Sequence, residues 1–230
     1  MNFLVCVAIV FAFSFLLYKP IRKYGWILYI ISAAAAFVFA QFSFLNAPQW
    51  FKSHIIYAFQ RGSLSTAFFT VVMFATLFKN GTEIKKRLMS IRAELSLIGC
   101  FLALGHNFAT GKTYFKALFL TPERLNTSQI AAAIISIILI LIMLPLMITS
   151  FRAIRQKMNA RSWKKLQRWA YPFYMLIFTH VMVLTIPLVA AGRTKYIPNL
   201  IIYSIVFVVY AAARLWKAKS DKQKRTKSSK

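Results

Sequence analysis

The chain has 230 residues, 59% of them hydrophobic, and its mean hydropathy of +0.60 is higher than that of a typical soluble domain. The net charge is +26, and the four acidic residues are too few for a paired-carboxylate hydrolase, a carboxylate metal centre or an acidic calcium site. Lys and Arg lie between apolar runs rather than on one soluble face, which argues against nucleic-acid binding. The composition therefore predicts an all-α, polytopic protein of the lipid bilayer.

Seven apolar runs approach or exceed the length of roughly 20 residues that a membrane span needs. They occupy residues 2–18, 25–47, 62–78, 93–108, 130–151, 169–191 and 197–216. The first run resembles a signal-peptide core in length, but no positive charge precedes it and no small-residue cleavage motif follows. We interpret it as a retained helix, and six spans would remain if it were cleaved. The predicted domains are an N-terminal helix (1–18), a transmembrane bundle (19–216) and a basic, disordered cytoplasmic tail (217–230).

Positive charge is distributed unevenly between the two sides of this predicted bundle. The segments after the first, third and fifth runs, together with the tail and with Arg214 near the end of the last run, hold 23 of the 30 Lys and Arg residues. These segments are predicted to face the cytoplasm, because cytoplasmic loops carry the excess of positive charge. We therefore expect a multi-pass protein of the cell membrane with its amino terminus outside and its carboxyl terminus in the cytoplasm.

Two of the three histidines lie in apolar runs, where an ionisable side chain is costly and usually has a defined partner. His106 lies roughly 20 Å along a helix from the basic end of the fourth run, and His180 lies at a comparable depth in the sixth. Two imidazoles at one depth can ligate a heme iron from both sides, which predicts one heme b in the outer leaflet. Hydrogen bonds between helices, a small water-filled cavity, or copper or another metal remain alternatives.

Other candidate residues accompany this pair. Arg61 and Lys112 lie near the outer ends of the third and fourth runs, where their charge suits heme propionates. Snorkelling to the membrane surface explains them equally well. Lys112 also begins a predicted polar loop at 111–127, and His54 is expected to be exposed or interfacial. Cys6 and Cys100 fall within apolar runs and are expected to be ordinary buried thiols.

Three stretches carry a family resemblance: residues 163–171 followed by His180, Ile91 and Arg92 leading to Leu104, Gly105 and His106, and residues 149–152. They resemble the ferric-reductase-like transmembrane family, and within it the heme-binding membrane subunits of periplasmic methionine sulfoxide reductase systems. Family members with two hemes carry a second histidine further in on each helix. Here the positions 13 residues before His106 and His180 hold Ala93 and Gln167. The resemblance thus implies an outer heme and argues against an inner one.

The resemblance also implies a function. It predicts a b-type cytochrome, an electron-transfer subunit that is not catalytic alone, which passes electrons to an extracytoplasmic reductase or flavin-binding protein. No Gly-rich dinucleotide fingerprint follows the last run, so the expected electron source is membrane quinol, a cytoplasmic flavoprotein or bound FMN. The alternative is a non-redox membrane protein, such as a small permease or an assembly scaffold, whose histidines only connect helices.

Overall fold

The computed structural model describes residues 3–42 and 46–228, and every regular element within those ranges is helical. Seven helices correspond to the seven apolar runs: α1 (Phe3–Leu16), α2 (Tyr18–Gln41), α3 (Ser63–Ala75), α4 (Arg92–His106), α5 (Thr127–Ile148), α6 (Ala170–Ala190) and α7 (Ile197–Ser228). The predicted all-α bundle is therefore confirmed. The first residue of the first run and residues 43–45 of the second lie outside the described residues.

Four helical segments among the described residues are long and apolar enough to cross a membrane. They are Tyr18–Gln41, Thr127–Ile148, Ala160–Ala190 and Thr194–Asp221. A fifth span results if Glu83–Ser90 and Arg92–Leu120, which meet at an angle of 55°, are counted as one bent segment. Helices α1 and α3 are apolar but shorter. The chain is thus a multi-pass membrane protein, while the count of seven spans stays a prediction.

Helix α3 lies at the centre of the bundle. Ten of its 13 residues are buried, because α1 and α4 pack along it and side chains of α6 reach it. The ring of Phe69 meets that of Phe173 edge-on with centroids 5.1 Å apart, and the hydroxyls of Thr70 and Tyr174 are 2.9 Å apart. Helix α3 therefore determines how far apart α4 and α6 lie.

Helix α1 is packed into the same core. It buries Phe3, Cys6 and Val10 almost completely, and it contacts both α3 and α7. The ring of Phe3 stacks on that of Tyr203 in α7 with centroids 4.1 Å apart. Such burial fits a retained helix, because its removal would expose one side of α3. Cys6 and Cys100 are both buried and free, as the sequence predicts.

The basic connectors fold into short helices at one end of the bundle, here called the basic end. These helices are Glu83–Ser90, Arg152–Arg155 and Ala160–Gln167. In the first, the Arg87 guanidinium lies 2.9 Å from the Glu83 carboxylate and covers aromatic rings at the junction of α1 and α2. The Lys217 ammonium donates to the Thr76 carbonyl at 2.6 Å, which caps the carboxyl end of α3 and ties α7 to it.

Two segments are more helical than the sequence predicts. Helix α4 continues through a π-helical turn, Asn107–Gly111, into a further helix, Lys112–Leu120, where a polar loop is expected. Helix α7 extends to Ser228, where a disordered tail is expected. Neither extension contains proline, and Lys, Gln, Arg, Leu and Ala all favour helix, so helix propensity continues beyond the apolar runs.

Small residues allow α2 and α4 to approach closely. A Cβ atom added to Gly105 would lie 2.6 Å from the Cβ of Ala36. Close contact between small residues is a common way for membrane helices to pack, because the gain comes from van der Waals contact rather than from apolar burial. This contact fixes the position of α4 directly before His106.

We predict that Ala36→Val separates α2 from α4 and lowers the free energy of unfolding by about 1–3 kcal/mol, the usual cost of overpacking. Ala34→Val is the matched control, because Ala34 lies two residues away on the same helix and is exposed. Thermal unfolding of both purified variants in detergent measures the difference. Equal unfolding midpoints would contradict the described packing.

Candidate functional site

His106 is the last residue of α4 and is half-buried. Its Nδ1 atom donates a hydrogen bond to the Gln60 carbonyl, and the Thr110 hydroxyl donates to the same oxygen at 2.9 Å. A carbonyl oxygen only accepts, so Nδ1 carries the proton of the neutral imidazole and Nε2 keeps its lone pair. The ring is therefore oriented with one nitrogen available as a ligand.

The turn that begins α3 lies against this ring. Gly62 has φ of 69°, and a Cβ atom added to it would lie 3.3 Å from both Cγ and Cδ2 of His106. Glycine adopts this left-handed conformation without steric cost and leaves room for the imidazole. The π-helical turn after His106 places Thr110 beside Gln60, and such turns often occur at functional sites.

His180 lies in the middle of α6 and is also half-buried. Its Nδ1 atom lies 3.2 Å from the Ala132 carbonyl oxygen and 3.3 Å from the Ser136 hydroxyl, both in α5. The Ser136 hydroxyl itself donates to the Ala132 carbonyl at 2.9 Å, so Nδ1 is assigned as a second donor to that oxygen. In this tautomer Nε2 again keeps its lone pair, and His180 repeats the arrangement of His106.

His106 lies at the end of α4 that is far from the basic end, and His180 lies half-way along α6. The two rings are within electrostatic range of each other. Their helices are not packed directly on one another; α3 and α5 each contact both α4 and α6. Helices α3 and α5 therefore set the spacing of the two helices that carry the histidines.

Arg61 and Lys112 lie beside this region. Arg61 follows Gln60, whose carbonyl holds the first imidazole, and Lys112 comes two residues after Thr110. Both side chains are exposed, Arg61 stacks over a tyrosine ring at 4.7 Å, and neither forms an ion pair within the described residues. Their charges can pair with anionic groups without displacing a carboxylate.

The inner positions offer no imidazole to a second heme. The Gln167 amide donates to the Thr149 hydroxyl at 3.2 Å, and Ala93 offers no ligand. A cavity of about 40 Å³ lies beside Gln167 and is lined in part by Cys100 and Met143. This volume suits a few water molecules.

Sequence reasoning missed the groups that orient the two histidines. Gln60 accepts these bonds through its backbone carbonyl, and the sequence does not indicate which backbone carbonyl takes this part because every residue has one. Thr110 lies four residues after His106, a spacing that indicates contact only if the helix is known to continue. Ser136 resembles any other hydroxyl in an apolar helix. His54, expected to be exposed or interfacial, is exposed and bonds within its own turn.

Residues 61–178, about half of the chain, match the family described as ferric reductase like transmembrane component. His106 lies within the matched region, and His180 lies two residues beyond it. An uncharacterized protein of Treponema pallidum (strain Nichols) is 35% identical over 204 residues, which cover 88% of this chain and 56% of that protein. The chain therefore spans about half the length of this relative. No solved structure matches the chain.

We predict that Gly62→Ala disturbs the His106 ring, whereas Gly192→Ala does not. Both glycines have positive φ, 69° and 78°, so both substitutions should cost about 1–2 kcal/mol of backbone strain. A Cβ atom at Gly192 meets nothing within 4 Å, which makes it the matched control. Thermal unfolding in detergent should show destabilisation in both variants, and histidine-ring NMR signals should shift only in Gly62→Ala. Unshifted signals in Gly62→Ala would contradict the described contact.

Proposed function

Because this chain belongs to the family of ferric reductase-like transmembrane components, we propose that it is a b-type cytochrome that passes electrons across the membrane to an extracytoplasmic acceptor. Family membership indicates a membrane electron-transfer component. Beyond family membership, we propose that His106 and His180 hold one heme b and that electrons pass from it to the outer side of the membrane. The chain then acts as an electron-transfer subunit of an oxidoreductase rather than as a complete enzyme.

The hydrogen bonds of the two imidazoles carry this proposal. Each ring gives its Nδ1–H to a backbone carbonyl, that of Gln60 or that of Ala132. Histidines that bind metals almost always donate their other ring N–H in this way, which fixes the tautomer and makes the ligating nitrogen more basic. Two neutral Nε2 atoms are the donor set that a heme b with two histidine ligands requires. Bound heme would supply reversible one-electron chemistry at its iron.

The protein's own residues would hold and shield such a group. Helices α3 and α5 keep α4 and α6 at a fixed spacing, and Gly62, which has no Cβ atom, lets the start of α3 lie against the His106 ring. The surrounding apolar side chains exclude water, which keeps both imidazoles neutral and available as ligands. Arg61 and Lys112 would neutralise the propionates at the exposed edge.

The charge distribution supports the orientation on which the proposed direction of transfer rests. With a cytoplasmic basic end, His106 at the far end of α4 and His180 half-way along α6 would both lie away from the cytoplasmic surface. A single outer heme agrees with Gln167 at the inner position. Electrons then arrive from membrane quinol, a cytoplasmic flavoprotein or bound FMN, and leave toward an outer reductase or flavin-binding protein. We propose the membrane subunits of methionine sulfoxide reductase systems as the most similar branch of the family.

A non-redox function is favoured by one observation. Each imidazole already has an acceptor on a different segment, Gln60 or Ala132, and such bonds are sufficient to connect membrane helices. The chain would then be a small permease or an assembly scaffold, including a scaffold that has lost its heme. Heme analysis separates these functions, because only the cytochrome retains heme.

We predict that purified protein from heme-supplemented cells contains about one heme per chain, with a low-spin spectrum. His180→Ala and His106→Gln should lose this spectrum, because each removes one axial ligand. The glutamine amide in His106→Gln can still donate to the Gln60 carbonyl, so this variant keeps the local fold while losing a good iron ligand. Absorption spectroscopy and heme extraction measure the result.

His54→Ala is the control for these variants, since His54 is exposed and bonds only within its own turn. It should keep the full heme content. A folded wild-type preparation without a Soret band would contradict the cytochrome, and two hemes per chain would contradict the single site.

We further predict that Arg61→Gln lowers the heme midpoint potential. Removing a positive charge near the propionates stabilises the oxidised, more positively charged iron. Lys164→Gln is the control, because Lys164 is exposed at the basic end, where distance and salt screen its charge. Redox titration of both variants measures the change. Equal potentials in wild type and Arg61→Gln would show that Arg61 does not contact the heme edge.

A further inference from the structure

Three arginines from different segments come together at the basic end. Arg92 begins α4, Arg155 ends the short helix after α5, and Arg214 lies near the basic end of α7. Arg92 lies within electrostatic range of both Arg155 and Tyr171. The Arg214 guanidinium donates to the Tyr171 hydroxyl at 2.8 Å and covers its ring at 4.8 Å. The cluster thus forms around Tyr171, at the start of α6.

No carboxylate neutralises this cluster. Among the described residues, the one ion pair is that of Arg87 with Glu83. Glu94 is close to Arg92 in sequence, and both it and Arg155 are within electrostatic range of Tyr29, but Glu94 is not within ion-pair distance of any arginine. Like charges that lie together repel each other unless an anion is present. The cluster is therefore a cationic site without its counter-ion.

A second observation is independent of the charges. Tyr210 is 2% exposed, and its hydroxyl is the one buried side-chain polar atom in the described part of the chain that has no hydrogen-bond partner. It lies within electrostatic range of Tyr171 and Arg214. An unsatisfied buried hydroxyl costs about 1–3 kcal/mol and is uncommon in native structures. A buried polar group is thus left without a partner in the neighbourhood of Arg214 and Tyr171.

Burial distinguishes Arg92 and Arg214 from the other unpaired cations. These two are half-buried, whereas Arg155 and side chains such as Arg161 and Lys164 are exposed at the same end. Water solvates an exposed guanidinium fully, but a partly buried one loses part of its hydration and gains more from a paired anion. The half-buried arginines therefore favour a bound anion far more than the rest of the basic surface does.

We propose that the cluster of Arg92, Arg155 and Arg214, with the Tyr210 hydroxyl, binds the phosphate group of an anionic phospholipid. A phosphate diester offers acceptor oxygens to two guanidinium groups and a hydroxyl at once. The cluster lies where the apolar lengths of α4, α6 and α7 end, which is the depth of lipid headgroups, and basic pockets between membrane helices bind such headgroups. A soluble phosphate ester shares this chemistry and differs in lacking acyl chains.

The test uses the full chain, purified in neutral detergent, freed of lipid, and mixed with dioleoyl phosphatidylglycerol. A ligand that binds the folded state raises the midpoint of thermal unfolding. We expect such a rise in the wild type and its loss by more than half in Arg92→Gln and in Arg214→Gln. Arg161→Gln, which removes an exposed arginine at the same end, should keep the full rise.

Tyr210→Phe covers the case in which the arginine variants fail to fold. It removes only the unsatisfied hydroxyl, so it should fold at least as well as the wild type and still lose part of the lipid-induced rise. An unchanged rise in Tyr210→Phe and in the folded arginine variants overturns the site. An equal loss in Arg161→Gln also overturns it, in favour of diffuse surface attraction.

Two further probes identify the source of the phosphate. If inorganic phosphate without lipid gives the full rise in the unfolding midpoint, the lipid assignment is overturned in favour of a soluble phosphate ester. Phosphatidylcholine that gives the full rise overturns the requirement for an anionic lipid. Heme content should be unchanged in every variant, because Arg92 begins α4 and His106 ends it, while Tyr171 lies at the start of α6 and His180 near its middle. Failure of the lipid site is thereby distinguishable from failure of the cytochrome.

Discussion

The Gln60 carbonyl is the contact on which the rest of the candidate site depends. It accepts hydrogen bonds from the His106 imidazole and the Thr110 hydroxyl, and it thereby joins the start of α3 to the end of α4. A carbonyl left without donors inside a membrane protein is costly, so both donors are held in place. The Ala132 carbonyl orients His180 in the same way. Both imidazoles thus present the same nitrogen without help from an acidic side chain.

Helix α3 lies against both the outer and the inner candidate positions. At its amino end Gly62, which has no Cβ atom, lies against the His106 ring. Toward its carboxyl end Phe69 and Met73 help to line the cavity of about 40 Å³ beside Gln167. One helix thus contacts the surroundings of both positions.

The scarcity of acidic residues links topology to chemistry at both ends of the bundle. The chain has four acidic residues and 30 Lys and Arg residues, and the described part of the chain forms one ion pair. Arg61 and Lys112 therefore have no carboxylate partner near His106, and Arg92 and Arg214 have none at the basic end. The excess of positive charge that orients a membrane protein also leaves cations for anionic ligands.

The sequence by itself determined the helical class, the approximate bounds of the apolar helices and the side that carries the charge, because run length and charge placement are local properties. It also indicated His106 and His180 as candidate ligands, since ionisable residues in apolar runs are rare. It missed the helix beyond His106, because a mixed polar and apolar helix has no strong hydropathy signal. The tertiary structure alone decided which carbonyl orients each imidazole, that Gly62 lies against one ring, and that three distant arginines meet near Tyr171. Those contacts join segments that are far apart in the chain. In addition, every residue has a backbone carbonyl, so the residue type does not reveal which carbonyl accepts a hydrogen bond.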